Sequence, residues 1–292
     1  MSEPPRKVSV EKLQTMSARN EPIVMLTVYD HPSAVIAEEA GIDIAFVGDS
    51  LAMMVLGYDS TVPVTLDQML VFMQAVSRGA RTPLLLGDLP FGSYLDPLQA
   101  VNSAARLIKE GGMDAVKLEG GAETCDVVAA IVRRGIPVMG HIGLTPQTSS
   151  AHGGYRVQGR RAAQALKLID DAVALEAAGA FAVVLELVPD EVAAAVTQRL
   201  RIPTIGIGSG AACDGQVLVW HDVLGLSTSP YGRHVRRYAD IHGETLRAVR
   251  TYASEVRNRE FPSADETWQM KPEESLAFKQ AAGLEIPEPA PA

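Results

Sequence analysis

The sequence predicts an α/β fold, a single (β/α)8 TIM barrel with an N-terminal helix and a C-terminal extension. Its 292 residues are close to the length of about 250 that is typical of this barrel. Eight short apolar runs alternate with longer segments of helical character. Runs of this kind are typical of parallel strands that are buried on both faces, and the alternation with helices indicates βαβ units.

The eight predicted strands are Ile23–Tyr29, Ile44–Gly48, Pro83–Gly87, Ala115–Leu118, Pro137–Gly140, Ala180–Leu185, Pro203–Ile207 and Gln216–Trp220. Eight units favour a closed barrel, because closure leaves no edge strand exposed. A chain of this length can form one large core, so a second domain is not required. We therefore predict a barrel domain over residues 1–262.

Helix signals support the same pattern. Asp96 and Pro97 are expected to open a helix as N-cap and first helical residue. Its predicted apolar face, at helical spacing, consists of Leu98, Val101, Ala105 and Ile108. A helix around Val10–Ser17 is predicted to cover the bottom of the barrel. Several helices are expected to end at a glycine followed closely by a strand, at Gly41, Gly135 and Gly179.

Two segments depart from the repeating units. The interval between the fifth and sixth strands is long and contains Thr145–Ser150 and Gly153–Tyr155, and we interpret it as a lid or wall over the active site. Residues 263–292 are polar and end in a proline-rich stretch. They are expected to form a partly ordered C-terminal tail.

Composition excludes several classes of protein. Apolar residues make up 47% and charged residues 21% of the chain, as in an ordinary globular protein. The net charge of −9 argues against nucleic-acid binding, and the arginine-rich stretch Arg233–Arg259 also carries acidic residues, as a solvated or subunit-facing helix does. No secretory signal or membrane span is apparent, so we expect a cytoplasmic protein. Cys125 and Cys213 are expected to be reduced and structural.

Polar residues follow five neighbouring strands where each apolar run ends, and the active site of a barrel lies at these strand ends. The residues are Asp49, Ser50, Asp88, Lys117, Glu119, His141 and Glu186. Each also has a structural explanation: an aspartate can cap a helix, Lys117 and Glu119 can form a simple ion pair, and a histidine can be a satisfied polar residue. The carboxylate of Glu186 is costly within an apolar run unless it is paired or functional.

The charges of this set predict a cation. Four possible carboxylates, Asp49, Asp88, Glu119 and Glu186, face one lysine, and crowded carboxylates need protons or a counter-ion. Oxygen ligands without cysteine favour Mg2+. A 2-oxo acid can bind such an ion and lose a neighbouring proton to a base, for which Glu186 is the candidate. The turn Gly206–Gly210 is either an anion cradle or a tight strand-to-loop turn.

The same stretches resemble the ketopantoate hydroxymethyltransferase family. The resemblance runs in order over roughly residues 8–262, as the matching segments show: Val47–Leu51, Gly57–Thr65, Gly87–Phe91, Val116–Gly121, Gly140–Gln147, Gly153–Arg160, Leu175–Ala180, Ile205–Gly210 and Asp214–Val219. Ser209 replaces a small apolar residue expected in the family's glycine turn.

The resemblance implies a role for each site residue. Asp49 and Asp88 are expected to bind Mg2+ directly, and Glu119 to be the third acidic group at the metal. Ser50, Lys117 and His141, together with Asp49 and Asp88, are expected to contact the 2-oxo acid, and Glu186 to accept the proton. The implied reaction transfers a hydroxymethyl group from 5,10-methylenetetrahydrofolate to 3-methyl-2-oxobutanoate and gives 2-dehydropantoate. A cytoplasmic homodecamer is also implied.

Two other functions stay open at this point. The first is another Mg2+-dependent barrel enzyme of 2-oxo acids, of the carbon–carbon lyase or phosphoenolpyruvate mutase type; such enzymes commonly use a cysteine-containing loop that this sequence lacks. The second is a barrel without activity, kept as a binding or assembly protein. That function predicts erosion of the site residues, whereas all of them are present.

Overall fold

The computed structural model describes residues 6–227 and 232–284. Eight parallel strands form a closed barrel in chain order. This confirms the predicted fold class, and each predicted strand is found within a few residues of its expected limits. The strands are β1 Ile23–Thr27, β2 Ile44–Val47, β3 Leu84–Asp88, β4 Ala115–Lys117, β5 Val138–Gly143, β6 Ala182–Glu186, β7 Thr204–Ile207 and β8 Gly215–Leu218.

Helices connect and follow the strands. They are α1 Val10–Ala18, α2 His31–Glu39, α3 Leu51–Met54, α4 Leu66–Gly79, α5 Pro97–Lys109, α6 Cys125–Val132, α7 Ala162–Ala177, α8 Asp190–Arg199, α9 Trp220–Val223, α10 Ile241–Asn258 and α11 Pro272–Ala281. Short 3-10 helices span Ala122–Thr124, Pro146–His152 and Ala264–Glu266. The sequence starts several of these helices through capping side chains: Asp96 accepts hydrogen bonds from the backbone of Leu98 and Gln99.

The barrel interior is apolar at its lower end. Alternate residues of the strands point inward and form one buried cluster, which also contains Leu13 and Met16 of α1. Helix α1 therefore closes the bottom of the barrel, as predicted. A second apolar cluster lies between the outer faces of the strands and the helices.

The predicted apolar face of α5 was partly wrong. The buried residues of this helix are Ala100, Ser103, Ala104 and Leu107, whereas Leu98 is 72% exposed. Val101 and Ile108 of the predicted face are partly buried and pack against the core, but three of the four fully buried positions carry small side chains. The spacing of the large apolar residues therefore indicated the helix and part of its core-facing side, but it did not identify the small buried residues.

The predicted end of the eighth strand was also wrong. Strand β8 ends at Leu218, and Trp220 begins α9. The Trp220 backbone N–H donates to the Thr27 hydroxyl at 3.0 Å rather than to a neighbouring strand. A side-chain hydrogen bond from β1 thus takes the place of a ladder bond at this position.

The chain divides into two compact units, Met1–Ala239 and Asp240–Ala292. The first contains the barrel. The described part of the second contains α10 and α11, neither of which has a buried residue. The predicted division after residue 262 stays a prediction, and residues 285–292 of the predicted tail lie outside the described residues. Among the helices of residues 6–227 and 232–284, none has the length and apolarity that a bilayer crossing requires.

Candidate active site

The upper layer of the barrel interior is polar. Asp88, Lys117, His141 and Glu186 continue the inward-facing rows of β3, β4, β5 and β6, because each stands two residues after an apolar inward residue. The strand register places Asp88 beside Lys117. Period-two alternation therefore brings four ionisable side chains from four neighbouring strands to one end of the barrel.

A cavity of about 1110 Å³ opens above this layer. All of the residues predicted for the site line it: Asp49, Ser50, Asp88, Lys117, Glu119, His141 and Glu186. Pro146, Tyr155 and Val157 from the long β5–β6 interval form part of its wall. The structure therefore brings the predicted residues together, while their chemical roles stay a prediction.

Asp49 and Asp88 form a deeply buried acidic pair. Asp49 is 5% exposed and Asp88 is 1% exposed, and the Asp49 backbone N–H donates to Asp88 Oδ2 at 3.2 Å. Burial raises the pKa of both carboxyls, and the charge of Asp88 raises that of Asp49 further. Lys117 Nζ lies 3.0 Å from Asp88 Oδ1 and offsets part of this charge.

Glu119 and His141 form a second pair next to Lys117. His141 Nδ1 lies 3.4 Å from Glu119 Oε1 and 3.2 Å from Lys117 Nζ. Burial alone would raise the pKa of Glu119, but the hydrogen bond and charge of His141 lower it. Burial and Lys117 act against protonation of the histidine, yet its bonds to Glu119 and Glu186 raise the pKa of His141 to about 9.

Glu186 has a different environment from the other three carboxylates. Its side chain is 16% exposed, and its Oε2 lies 3.3 Å from His141 Nε2. The carboxylate therefore faces the cavity while the histidine holds one side of it. This arrangement suits a group that must reach a substrate proton.

Ser50 is fixed by a residue that the sequence did not single out. Its hydroxyl lies 2.8 Å from the Tyr29 hydroxyl, and burial raises the pKa of Tyr29 above its ordinary value. A neutral phenol can thus orient the Ser50 hydroxyl at the cavity wall. Sequence reasoning missed Tyr29 because it was included in the predicted first strand, Ile23–Tyr29, and was not considered as a site residue.

Gln147 and Tyr94 were also missed. Gln147 is 2% exposed, and its Nε2 donates to Asp49 Oδ2 at 2.9 Å. The Tyr94 hydroxyl donates to Gln147 Oε1 at 2.5 Å. Gln147 lies in the Gly140–Gln147 segment that matches the family, and this was the signal that could have identified it. Its hydrogen-bond partners, Asp49 and Tyr94, are distant in sequence.

The turn after β7 is tightly bonded. Ser209 is buried, and its hydroxyl donates to the Leu185 carbonyl at 2.7 Å. Gly208 and Gly210, on either side of it, have positive φ angles of 65° and 81°. This supports the tight-turn interpretation of Gly206–Gly210, and Ser209 closes the turn through its hydroxyl.

The donor set fits a divalent cation held by two carboxylates. Asp88 Oδ1 is buried, and Lys117 Nζ, 3.0 Å away, is the contact that the described residues show for it, so this oxygen has a lone pair available. Within the described residues, no group of three or more His, Cys, Asp and Glu side chains is arranged to hold a metal ion. Mg2+ commonly binds through one or two carboxylates, with water and substrate oxygens completing its shell. Asp49 and Asp88 fit this pattern.

Comparisons with known proteins agree on one family. The sequence profile of the family described as ketopantoate hydroxymethyltransferase matches residues 7–264. A 3-methyl-2-oxobutanoate hydroxymethyltransferase of Chloroflexus aurantiacus is 54% identical over 271 residues, covering 93% of this chain and 96% of the relative. The protein of the same name from Emericella nidulans is 47% identical over 290 residues, covering 98% and 82%.

Solved structures share the fold at low sequence identity. Oxaloacetate acetylhydrolase in complex with 3,3-difluorooxalacetate has a TM-score of 0.58 and 16% identity, covering 97% of this chain and 99% of that chain. A phosphonopyruvate hydrolase in complex with oxalate and Mg2+ has a TM-score of 0.57 and 14% identity, covering 93% and 98%. These likenesses concern the barrel architecture.

Proposed function

Because this chain belongs to the ketopantoate hydroxymethyltransferase family, we propose that its barrel mouth transfers a hydroxymethyl group to 3-methyl-2-oxobutanoate in pantothenate biosynthesis. The one-carbon unit comes from 5,10-methylenetetrahydrofolate. Water supplies the hydroxyl group, and the products are 2-dehydropantoate and tetrahydrofolate.

The anionic substrate is bound by the cationic and hydroxyl groups of the site. Lys117 is the buried ammonium group at the barrel axis, 3.0 Å from Asp88, and it attracts the negative charge of a 2-oxo acid. Ser50, held by Tyr29, offers a hydroxyl at the same wall. His141 lies between Glu119 and Glu186, with its Nε2 facing the Glu186 carboxylate.

Glu186 is the proposed base. The observation that carries this proposal is that its carboxylate is more exposed than the other three. Asp49, Asp88 and Glu119 are at most 5% exposed, whereas the Glu186 side chain is 16% exposed. Glu186 accepts the proton from C3 of the substrate, and the resulting enolate carbon forms the new carbon–carbon bond with the one-carbon unit. The three buried carboxylates are thus assigned to the metal site, and the more exposed Glu186 is assigned to proton transfer.

Mg2+ is the proposed metal, held by Asp49 and Asp88 with Glu119 nearby. When bound, it would neutralise negative charge that develops on the oxygens of the substrate. Glu119 already accepts from the Gln147 backbone N–H at 3.0 Å, which favours an indirect role through water.

The cavity is large enough for both substrates. Pockets of about 300–1,000 Å³ hold drug-sized ligands, and this cavity measures about 1110 Å³. A five-carbon acid leaves much of that volume free. The remaining space, toward Tyr155 and the turn at Gly208–Gly210, is available to the folate.

A deuterium-exchange assay tests the proposed proton transfer. The protein is incubated with 3-methyl-2-oxobutanoate and Mg2+ in heavy water without folate, and C3 is followed by NMR. We expect deuterium at C3, and no incorporation above the solution rate when a chelator removes the metal. Exchange that is absent with Mg2+, or that is unaffected by the chelator, would contradict the proposal.

The lyase and mutase alternatives have less support. Proteins of those types resemble this chain at 14–18% identity, which concerns the fold. Relatives of about 50% identity are hydroxymethyltransferases by name. We further propose a cytoplasmic homodecamer that binds neither nucleic acid nor membranes, on the family resemblance and the acidic net charge.

A further inference from the structure

We propose that Gln147 is a positioning residue that holds the Asp49 and Glu119 carboxylates in the arrangement that a divalent cation and the substrate require. Tyr94 acts through Gln147 by fixing the orientation of its side-chain amide. The inference rests on the proposed function, because it takes Asp49 as a ligand of Mg2+.

Gln147 bonds to both carboxylates at once. Its Nε2 donates to Asp49 Oδ2 at 2.9 Å and to the Leu89 carbonyl at 3.0 Å. Its backbone N–H donates to Glu119 Oε2 at 3.0 Å. One residue thus links the end of β2, the end of β3 and the segment after β4, which are distant from it in the chain.

Tyr94 determines which way the amide of Gln147 points. Its hydroxyl donates to Gln147 Oε1 at 2.5 Å and also lies 3.3 Å from the Glu119 carbonyl. The phenol hydroxyl carries the proton of this contact, because the side-chain oxygen of Gln147 can only accept. A hydrogen-bond donor at Oε1 leaves Nε2 to face the two acceptors.

The chemistry of this position requires an amide. The two groups beside Nε2, the Asp49 carboxylate and the Leu89 carbonyl, are acceptors and need a donor. The group beside Oε1, the Tyr94 hydroxyl, is a donor and needs an acceptor. A glutamate would place a negative charge against Asp49 in a buried environment. A methionine has a similar length but cannot donate, and it would leave Asp49 Oδ2 and the Leu89 carbonyl without this partner.

The turn after β5 carries Gln147 into place. Gly143 ends β5 with a φ of 95°, and a Cβ at this position would lie 2.2 Å from the Glu186 carbonyl oxygen. The next residue, Leu144, donates its N–H to that same oxygen at 2.8 Å. This tight turn sends the following segment across the barrel mouth, where Gln147 lies behind Asp49 and Glu119.

The consequence concerns metal affinity. Removal of a group that holds metal ligands in place commonly lowers the metal affinity or the activity 10–100-fold. Asp49 follows β2 in a short connection to α3. Gln147 supplies the side-chain bond that fixes its carboxylate relative to Glu119.

The test measures binding of Mg2+ alone to the purified protein by isothermal titration calorimetry. We expect Gln147→Met to raise the Kd about 10–100-fold, and Tyr94→Phe to raise it by a smaller factor. The double variant should bind no more weakly than Gln147→Met, since Tyr94 acts through the amide. Thr204→Val is the control, because Thr204 is fully buried in β7 and bonded to Asp214 but lies at the other end of the strand from the site.

The outcomes separate this inference from the proposed function. If wild type and Asp49→Asn have the same Kd, or wild type binds no Mg2+, both proposals fail. If Asp49→Asn loses binding while Gln147→Met and Tyr94→Phe keep the wild-type Kd, the ligand assignment holds and the positioning role is wrong. Equal weakening by Thr204→Val would show a general effect of lost stability and would also overturn the role. Tyr94→Phe removes one oxygen and keeps the test available where Gln147→Met impairs folding.

Discussion

Carboxylates of one chemical type have different surroundings at the barrel mouth. Asp49 and Asp88 are buried against each other, and burial raises the pKa of both. Glu119 is buried beside His141, whose hydrogen bond lowers its pKa. Glu186 faces the cavity. Burial and neighbouring charges, rather than residue type, therefore distinguish the carboxylates that we propose to hold a cation from the one that we propose to accept a substrate proton.

Removal of the proposed base should lower turnover without removing the site. Glu186→Gln keeps the size of the side chain and leaves Asp49, Asp88 and Lys117 unchanged. We expect the turnover number to fall by roughly 10²–10⁴ with little change in the affinity for 3-methyl-2-oxobutanoate. Steady-state kinetics at saturating Mg2+ measures both quantities.

A matched glutamate provides the control for this variant. Glu110 follows α5 and pairs with Arg106 on the surface, so Glu110→Gln should keep wild-type turnover. Turnover of Glu186→Gln within a few-fold of wild type would remove Glu186 from the role of base.

The inward-facing site residues could be located from sequence because their positions follow local rules. Asp88, Lys117, His141 and Glu186 lie in or at the ends of apolar runs, and inward alternation needs only the strand period. The side chains that support them could not be found in this way. Gln147 meets Asp49, and Tyr94 meets Gln147, through loops whose course depends on the folded barrel.

At the scale of elements, strand signals were more reliable than helix faces. Fully apolar strands are recognisable because both of their faces are buried. For α5, the predicted face was only partly correct, because most of its fully buried residues, Ala100, Ser103 and Ala104, are small. Small residues are favoured where two elements pack closely together. A search for large apolar residues at helical spacing does not detect them.

Two leucines of α5 distinguish the two faces experimentally. Leu107 is fully buried and Leu98 is 72% exposed. We expect Leu107→Ala to lower the free energy of unfolding by about 2–5 kcal/mol, because it leaves a cavity. Leu98→Ala should change it by about 0.5 kcal/mol or less. Urea unfolding followed by circular dichroism measures both, and equal losses would contradict the observed burial.

At the scale of the whole molecule, the site concentrates negative charge in a chain that is already acidic. The net charge is −9, and the carboxylates that line the cavity outnumber its positively charged side chains, which are Lys117, Arg233 and His141. Such a site is favourable only with a compensating positive charge. Binding of a cation should therefore stabilise the folded protein as a whole.

The stability of the protein should depend on Mg2+ through Asp88. A ligand that binds only the folded state stabilises it by about 2.7 kcal/mol at 100 times its Kd. At about 2–4 °C per kcal/mol for a large domain, this raises the Tm by about 5 °C or more. Differential scanning calorimetry with and without Mg2+ measures the rise, which Asp88→Asn should abolish because it removes a charge from the ligand pair.

Asp96→Asn makes the same chemical change at the N-cap of α5, where asparagine also caps well, and should keep the full rise. An undiminished rise in Asp88→Asn would show that the stabilising cation binds elsewhere.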